Sequence, residues 1–224
     1  MKQLSQIVHR QAVVMGYGDA FFMLSGFILA HVYGPAFASR GFSYRRFIVA
    51  RLARLYPLHV AVLTGALIMV LGATAAGVRF DAEGYGPLAF FQTLFLIQAW
   101  FPTDAELNWS GPSWSLSAEW FAYLCFPAFA FVFWRLRDKP ATAVLGAAAF
   151  LATLYFVFEQ WAGFPLTEAT IRWGALRIVP CFALGCALYL MYRKAPLKAP
   201  ALTSAAFLVL MLGSAWLGLW DAIT

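Results

Sequence analysis

Five stretches of predominantly apolar residues, each near the length that crosses a bilayer, constrain this chain more than any other feature. They run from Gly16 to Tyr33, Leu55 to Ala76, Trp114 to Trp134, Trp173 to Tyr192 and Ala201 to Trp220. A hydrocarbon core about 30 Å thick takes about 20 residues of α-helix, which satisfies every backbone polar group within its own segment. Ala141 to Phe158 is slightly shorter and reads as a sixth such helix. Pro87 to Phe101 is shorter again and carries Gln92 and Gln98, so it reads as re-entrant or interfacial. The expected fold is therefore all-α: a polytopic transmembrane helical bundle of about six spanning helices plus one short segment. Charged residues make up only 12% of the chain, against about 25% in soluble domains, which excludes an ordinary soluble fold.

The formal charge of +6 does not point to nucleic acid, because the cations form short clusters between apolar runs instead of a basic face. Those clusters are Arg40 to Arg54, Arg135 to Lys139 and Arg193 to Lys198. Cytoplasmic loops carry the excess of Lys and Arg, and all three clusters share that side if Pro87 to Phe101 does not cross. Asp81, Glu83, Asp104, Glu106, Glu159 and Glu168 then lie on the other side. Residues 1 to 15 read as a polar tail on that same outer side, with Lys2, His9 and Arg10 and no signal peptide, which suggests a missing preceding helix. The chain also stops at Thr224, just past its last apolar run, so both ends read as cut. Cys125, Cys181 and Cys186 all lie in apolar runs, where a thiol behaves as a small hydrophobe, and no disulfide framework or metal site is legible. With no internal repeat or linker, residues 1–224 read as one membrane domain.

Against this background the polar residues inside or beside apolar runs are the candidates for chemistry. Arg51 and Arg54 are three apart and share a helix face, with Arg45 and Arg46 about two turns earlier. Such guanidiniums can grip phosphates bidentately, or can serve only as anchors reaching to headgroups. Tyr56-Pro57 follows at once and suggests a bend where a polar pocket could open. Glu119 sits within a long apolar run, and Ser115 four residues earlier would share its face. A carboxylate there is an acid, a base, the orienter of a histidine, or an interfacial residue among tryptophans. Arg177 lies deep enough to need a partner, for which Glu119 is a candidate. His31 and His59 are proton carriers or backbone-bonded residues, and Asp19 reads as an acidic residue favoured by a helix N-terminus. Ser25-Gly26 lacks the context of a nucleophile motif and reads as small residues that let helices approach.

Four words in order carry a resemblance: Phe21 to Leu29, Arg51 to Pro57, Pro112 to Pro127, and Arg177 to Leu188. The chain resembles the acyltransferase family 3 membrane proteins, which O-acylate sugars of lipopolysaccharide, exopolysaccharide and related glycans. That resemblance implies a multi-pass protein of the inner, cytoplasmic membrane. It implies an acyl-CoA donor, acetyl-CoA foremost, reached from the cytoplasm as a substrate and not held as a permanent cofactor. The acceptor is then a hydroxyl of a carbohydrate or lipid-linked glycan, and membrane lipid is the other partner. Arg51 and Arg54 match the family's paired arginines, suited with Arg45 and Arg46 to the phosphates of coenzyme A, and Glu119 matches the family's acidic residue. The family's helix bearing an arginine and a catalytic histidine has no counterpart here, and that role is not carried onto His9. The alternative reading is thus a truncated, non-catalytic family member. A transporter would ordinarily show paired repeats, and none is visible.

Overall fold

A computed structural model describes residues 2–39, 41–80, 84–101 and 109–195, with side chains from Gly18 onward. The chain divides into a compact unit of residues 1–190 and a second of 191–224, and all that follows concerns the first. Among the described residues there are helices and short 3-10 turns but no strand. The α-helices are α1 (Lys2–Ala38), α2 (Tyr44–Ala75), α3 (Pro87–Leu94), α4 (Trp114–Leu124), α5 (Phe126–Leu136), α6 (Pro140–Ala162) and α7 (Gly174–Lys194).

Local chemistry sets several of these boundaries. Ser43, in extended backbone, caps α2 by accepting from the Arg46 amide at 3.5 Å. Pro140 opens α6, and Gly163, at φ +75°, closes it by donating its amide to the Glu159 carbonyl. Pro127 has no amide to offer and its ring crowds the preceding turn. There the ladder breaks, the Ala128 amide turns to Cys125, and the freed Leu124 carbonyl accepts the Tyr44 hydroxyl at 3.0 Å. The run from Trp114 to Trp134 is therefore not one straight helix but α4 and α5, bent by 56°.

Among the described residues four helices are long and apolar enough to cross a membrane: Gly18–Ala38, Tyr44–Ala75, Pro140–Ala162 and Gly174–Lys194, or up to five spans if the bent pair counts as one. The expected count of about six is not reached among the described residues, since Ala201 to Trp220 lies outside them. Within Pro87 to Phe101 the only helix is α3, whose eight residues rise about 12 Å, too little to cross. Large apolar side chains such as Leu58, Met69, Leu88 and Leu145 are exposed on the outer faces, which suits contact with hydrocarbon. These features fit a multi-pass membrane protein.

The segment after α3 folds back against α4 and α7 through Ser117. Its buried hydroxyl accepts the Ala99 amide at 3.1 Å and donates to the Leu96 carbonyl at 2.8 Å. Gln98 adds a 2.9 Å bond to Ser113, and the Ala99 carbonyl accepts the Ala175 amide at 2.9 Å. α7 is the centre of the unit, with Arg177, Ile178, Cys181, Phe182 and Cys186 wholly out of solvent, and α1 lies directly on it. A Cβ added at Gly26 would land on the Phe182 carbonyl oxygen, and one at Gly185 on the Met23 carbonyl oxygen. The Cys186 thiol completes this contact by donating to the Gly26 carbonyl at 3.3 Å. Ser25-Gly26 thus belongs to a close helix approach, as small residues in membrane helices commonly do.

Candidate functional site

α1 lines up three polar stations on one buried stripe. Asp19, Ser25 and Tyr33 share it with Phe22, Gly26, Leu29 and Ala30, at the three- and four-residue spacing of a helix face. From Asp19 to Tyr33 the helix rises about 21 Å, a large part of a bilayer's hydrocarbon thickness. α1 continues back to Lys2, so the segment read as a polar tail is helical and Asp19 is no N-terminal residue. The side chain of His9 lies outside the described residues.

At Tyr33 stands Arg51 of α2. One guanidinium nitrogen, Nη2, donates to the Tyr33 hydroxyl at 3.3 Å. The guanidinium carbon lies 5.8 Å from each of three ring centres, those of Tyr33, Phe47 and Tyr123, a distance for cation–π attraction. Arg51 Nε is buried and has no hydrogen-bond partner among the described residues. Arg45, Arg46 and Arg54 are exposed. α2 runs through Pro57 without a break, so the expected bend does not end the helix.

At Ser25 stands Glu119, only 5% exposed. Its Oε1 accepts the Ser25 hydroxyl at 2.9 Å and the Tyr123 hydroxyl at 2.5 Å. Tyr123 reaches it because side chains one turn apart meet on a helix surface. The expected partnership with Ser115 does not form, since that hydroxyl donates to the Pro112 carbonyl at 3.2 Å within its own first turn. Tyr123 joins the two stations, its hydroxyl on Glu119 and its ring beside Arg51. What results is a carboxylate held in one orientation by two donors, about two turns along α1 from a guanidinium with an N–H unmatched among the described residues.

At Asp19 stands Arg177 of α7, fully buried. Its Nε donates to Asp19 Oδ1 at 2.6 Å, and its Nη1 to the Ala169 carbonyl at 3.1 Å. Tyr155 donates to Asp19 Oδ2 at 3.2 Å, and Trp114 lies under the guanidinium at 5.5 Å. The expectation that Glu119 pairs with Arg177 is therefore corrected. The α1–α7 contact at Gly26 and Gly185 brings Asp19 to Arg177, and leaves Glu119 opposite Ser25. Sequence reasoning passed over Asp19 here, although an acidic and a basic residue in separate apolar runs are themselves a pairing signal.

Of the histidines, His59 is buried and donates Nε2–H to the Thr93 carbonyl at 2.8 Å, which docks the end of α3 on α2. His31 is exposed and sets its ring edge against Tyr189 at 5.5 Å. Arg172 lies over Phe164 at 5.7 Å. The three cysteines are free thiols, and no three His, Cys, Asp or Glu side chains among the described residues are grouped to hold a metal ion.

Comparison with known proteins agrees with this arrangement of words. A family model described as an acyltransferase domain, that of acyltransferase 3, matches residues 8–224. A relative named acyltransferase MdmB, from Streptomyces mycarofaciens, is 31% identical over 210 residues, covering 85% of this chain and 50% of the relative. A second, named protein 2 in picA locus, from Rhizobium radiobacter, is 33% identical over 111 residues, covering 45% of this chain and 58% of the relative. The chain thus spans between half and three-fifths of the length of these relatives. No solved structure matches. With a match over nearly its whole length, and with the resembling words folded into one polar stripe, the chain belongs to the acyltransferase 3 family.

Proposed function

We propose that this chain forms the donor-binding part of a membrane O-acyltransferase. In this reading it moves an acyl group, acetyl in the simplest case, from acyl-CoA to a hydroxyl of a carbohydrate or lipid-linked glycan in or beyond the inner membrane. The observation that carries it is Arg51, whose buried Nε–H has no acceptor among the described residues while its guanidinium is held among three aromatic rings. A buried cationic donor without an acceptor is costly unless a ligand supplies one, and a phosphate oxygen suits it. Arg54, Arg45 and Arg46, exposed on the same helix, would meet the remaining phosphates from the basic, cytoplasmic side.

Acyl transfer forms a bond from the acceptor oxygen to the acyl carbon and breaks the carbon–sulfur bond. The acceptor's proton must leave, and the CoA sulfur ends with one. Glu119 is suited to the proton's path: Oε1 is occupied by Ser25 and Tyr123, whereas Oε2 has no hydrogen bond among the described residues and can take a hydroxyl proton or orient the base that does. Tyr123 ties the position of this carboxylate to the donor site.

Binding of acetyl-CoA to the purified protein in detergent, followed by calorimetry, tests the reading. A hydrogen bond to a charged group contributes about 1.5–3 kcal/mol, so Arg51→Ala should weaken binding roughly ten- to a hundredfold. Arg54→Ala should do less, because its side chain is exposed. If the unmutated protein does not bind acetyl-CoA, or Arg51→Ala binds as well as it does, the donor-site assignment is wrong.

A further inference from the structure

A feature that the reaction does not use is a recess of about 510 Å³ walled by α5, α6 and α7, with the end of α4 as its floor. Its lining is almost free of polar surface: Phe121, Phe129, Phe133 and Phe150 supply the bulk, and Gly146 and Ala183 supply the room. The 56° turn at Cys125 creates it, by swinging α5 away from the line of α4 while the small residues of α6 and α7 leave the facing wall low. Val132 and Phe150, 54% and 45% exposed, stand at its mouth, so among the described residues it opens outward.

Water does not fill such a space, because it would find no polar partner there. Left empty, the walls would forfeit their dispersion contacts on one side. A flexible hydrocarbon chain satisfies both conditions, and the volume lies within the roughly 300–1,000 Å³ of small-molecule sites.

The lining itself points to the other end of the molecule that fills it. Leu136 closes the recess at the α5–α6 turn, and around it come Arg135, Arg137, Asp138 and Lys139, three cations against one anion. Arg135 stacks on Phe131 at 5.0 Å and Arg137 on Trp134 at 4.2 Å, which holds both guanidiniums beside the apolar wall. A chain lying in the recess would bring an attached phosphate to this turn, where forked N–H donors suit it.

We propose that this recess is a binding site for an anionic phospholipid of the bilayer, one acyl chain seated between α5, α6 and α7 and the phosphate at Arg135 to Lys139. The site is separate from the donor station, and its test reads lipid contact instead of acyl transfer, so either reading can fail without the other.

The probe is phosphatidylglycerol with a photoreactive group in its acyl chain, at low mole fraction in phosphatidylcholine vesicles holding the full chain. Label is mapped by mass spectrometry after irradiation. It should concentrate on the peptides containing Phe129, Val132 and Phe150, well above the lipid-facing peptide of α2 around Ile68 and Leu71. Gly146→Leu blocks the site without disturbing the fold, since a Cβ there meets no atom within 4 Å. Displacing even two methylenes corresponds to roughly a tenfold loss of occupancy, so labelling of the recess should fall about tenfold while the α2 peptide is unchanged.

The paired change Arg135→Gln and Lys139→Gln should reduce labelling by phosphatidylglycerol and leave that by an equally photoreactive phosphatidylcholine unaltered. Equal label on the recess and on α2, or recess labelling indifferent to Gly146→Leu, would overturn the site. Equal labelling by the two lipids would overturn the phosphate assignment and with it the proposal as stated. A cysteine at position 146 that crosslinks efficiently to one in Ala201 to Trp220 would show that the chain's own segment fills the recess, and would overturn it too.

Discussion

Arg177 shows how far a single residue depends on its surroundings. Its side chain is entirely out of solvent and carries a charge, yet its surroundings answer that charge: Asp19 in front, the Ala169 carbonyl at the side and the Trp114 ring beneath. Removing one partner of a buried pair strands the other charge, which costs about 3–5 kcal/mol, whereas replacing both by apolar groups is often neutral. Asp19→Ala should therefore lower the unfolding temperature in detergent sharply, and Asp19→Ala with Arg177→Met should recover most of the loss. A double variant as unstable as the single one would show that the ion pair itself, and not the stranded charge, sets the effect. The individual roles were only half legible at this scale. That Arg177 and Glu119 needed partners follows from a charge in an apolar run, but Ser25, Tyr123 and Asp19 became those partners through contacts between helices distant in the chain.

Among the elements, the broken pair α4–α5 and the touching pair α1–α7 position the site. Pro127 was present in the sequence, and a proline in an apolar run is a known cause of a kink. What could not be read was that the break leaves Leu124 to Tyr44 and opens the recess beside α5. The glycines of the α1–α7 contact behave differently from those on open helix faces. Gly185→Leu would drive a side chain onto the Met23 backbone, and because α7 is packed on its other sides the overpacking should cost about 1–3 kcal/mol or more. Gly65→Ala in α2 meets nothing within 4 Å and should stabilise by up to about 1 kcal/mol through helix propensity alone. Thermal unfolding of the two variants followed by circular dichroism checks both signs. A harmless Gly185→Leu would mean that α1 and α7 do not touch there.

At the scale of the whole unit, helix length and loop charge together set an expected orientation. α6 spans 23 residues, a rise of about 34 Å, so its ends should reach opposite faces of a bilayer. The proposed orientation puts the basic α5–α6 turn on the cytoplasmic side and the turn at Leu166–Glu168 on the other, because loops rich in Lys and Arg stay inside. In intact cells a membrane-impermeant maleimide should label Glu168→Cys, while Asp138→Cys should react only after permeabilisation; the reverse pattern would invert the orientation and move the arginines of α2 away from a cytoplasmic donor. By itself the sequence determined that this chain builds apolar helices, which of its words match the acyltransferase 3 family, and which buried charges need answering. Those are properties of residue type and local spacing, and they survive without knowing how the helices touch. Only the tertiary structure decided that Asp19 answers Arg177, that Ser25 and Tyr123 hold Glu119, and that Arg51 stands among three rings with one N–H unmatched among the described residues, because each depends on where two backbones come close enough for side chains to meet.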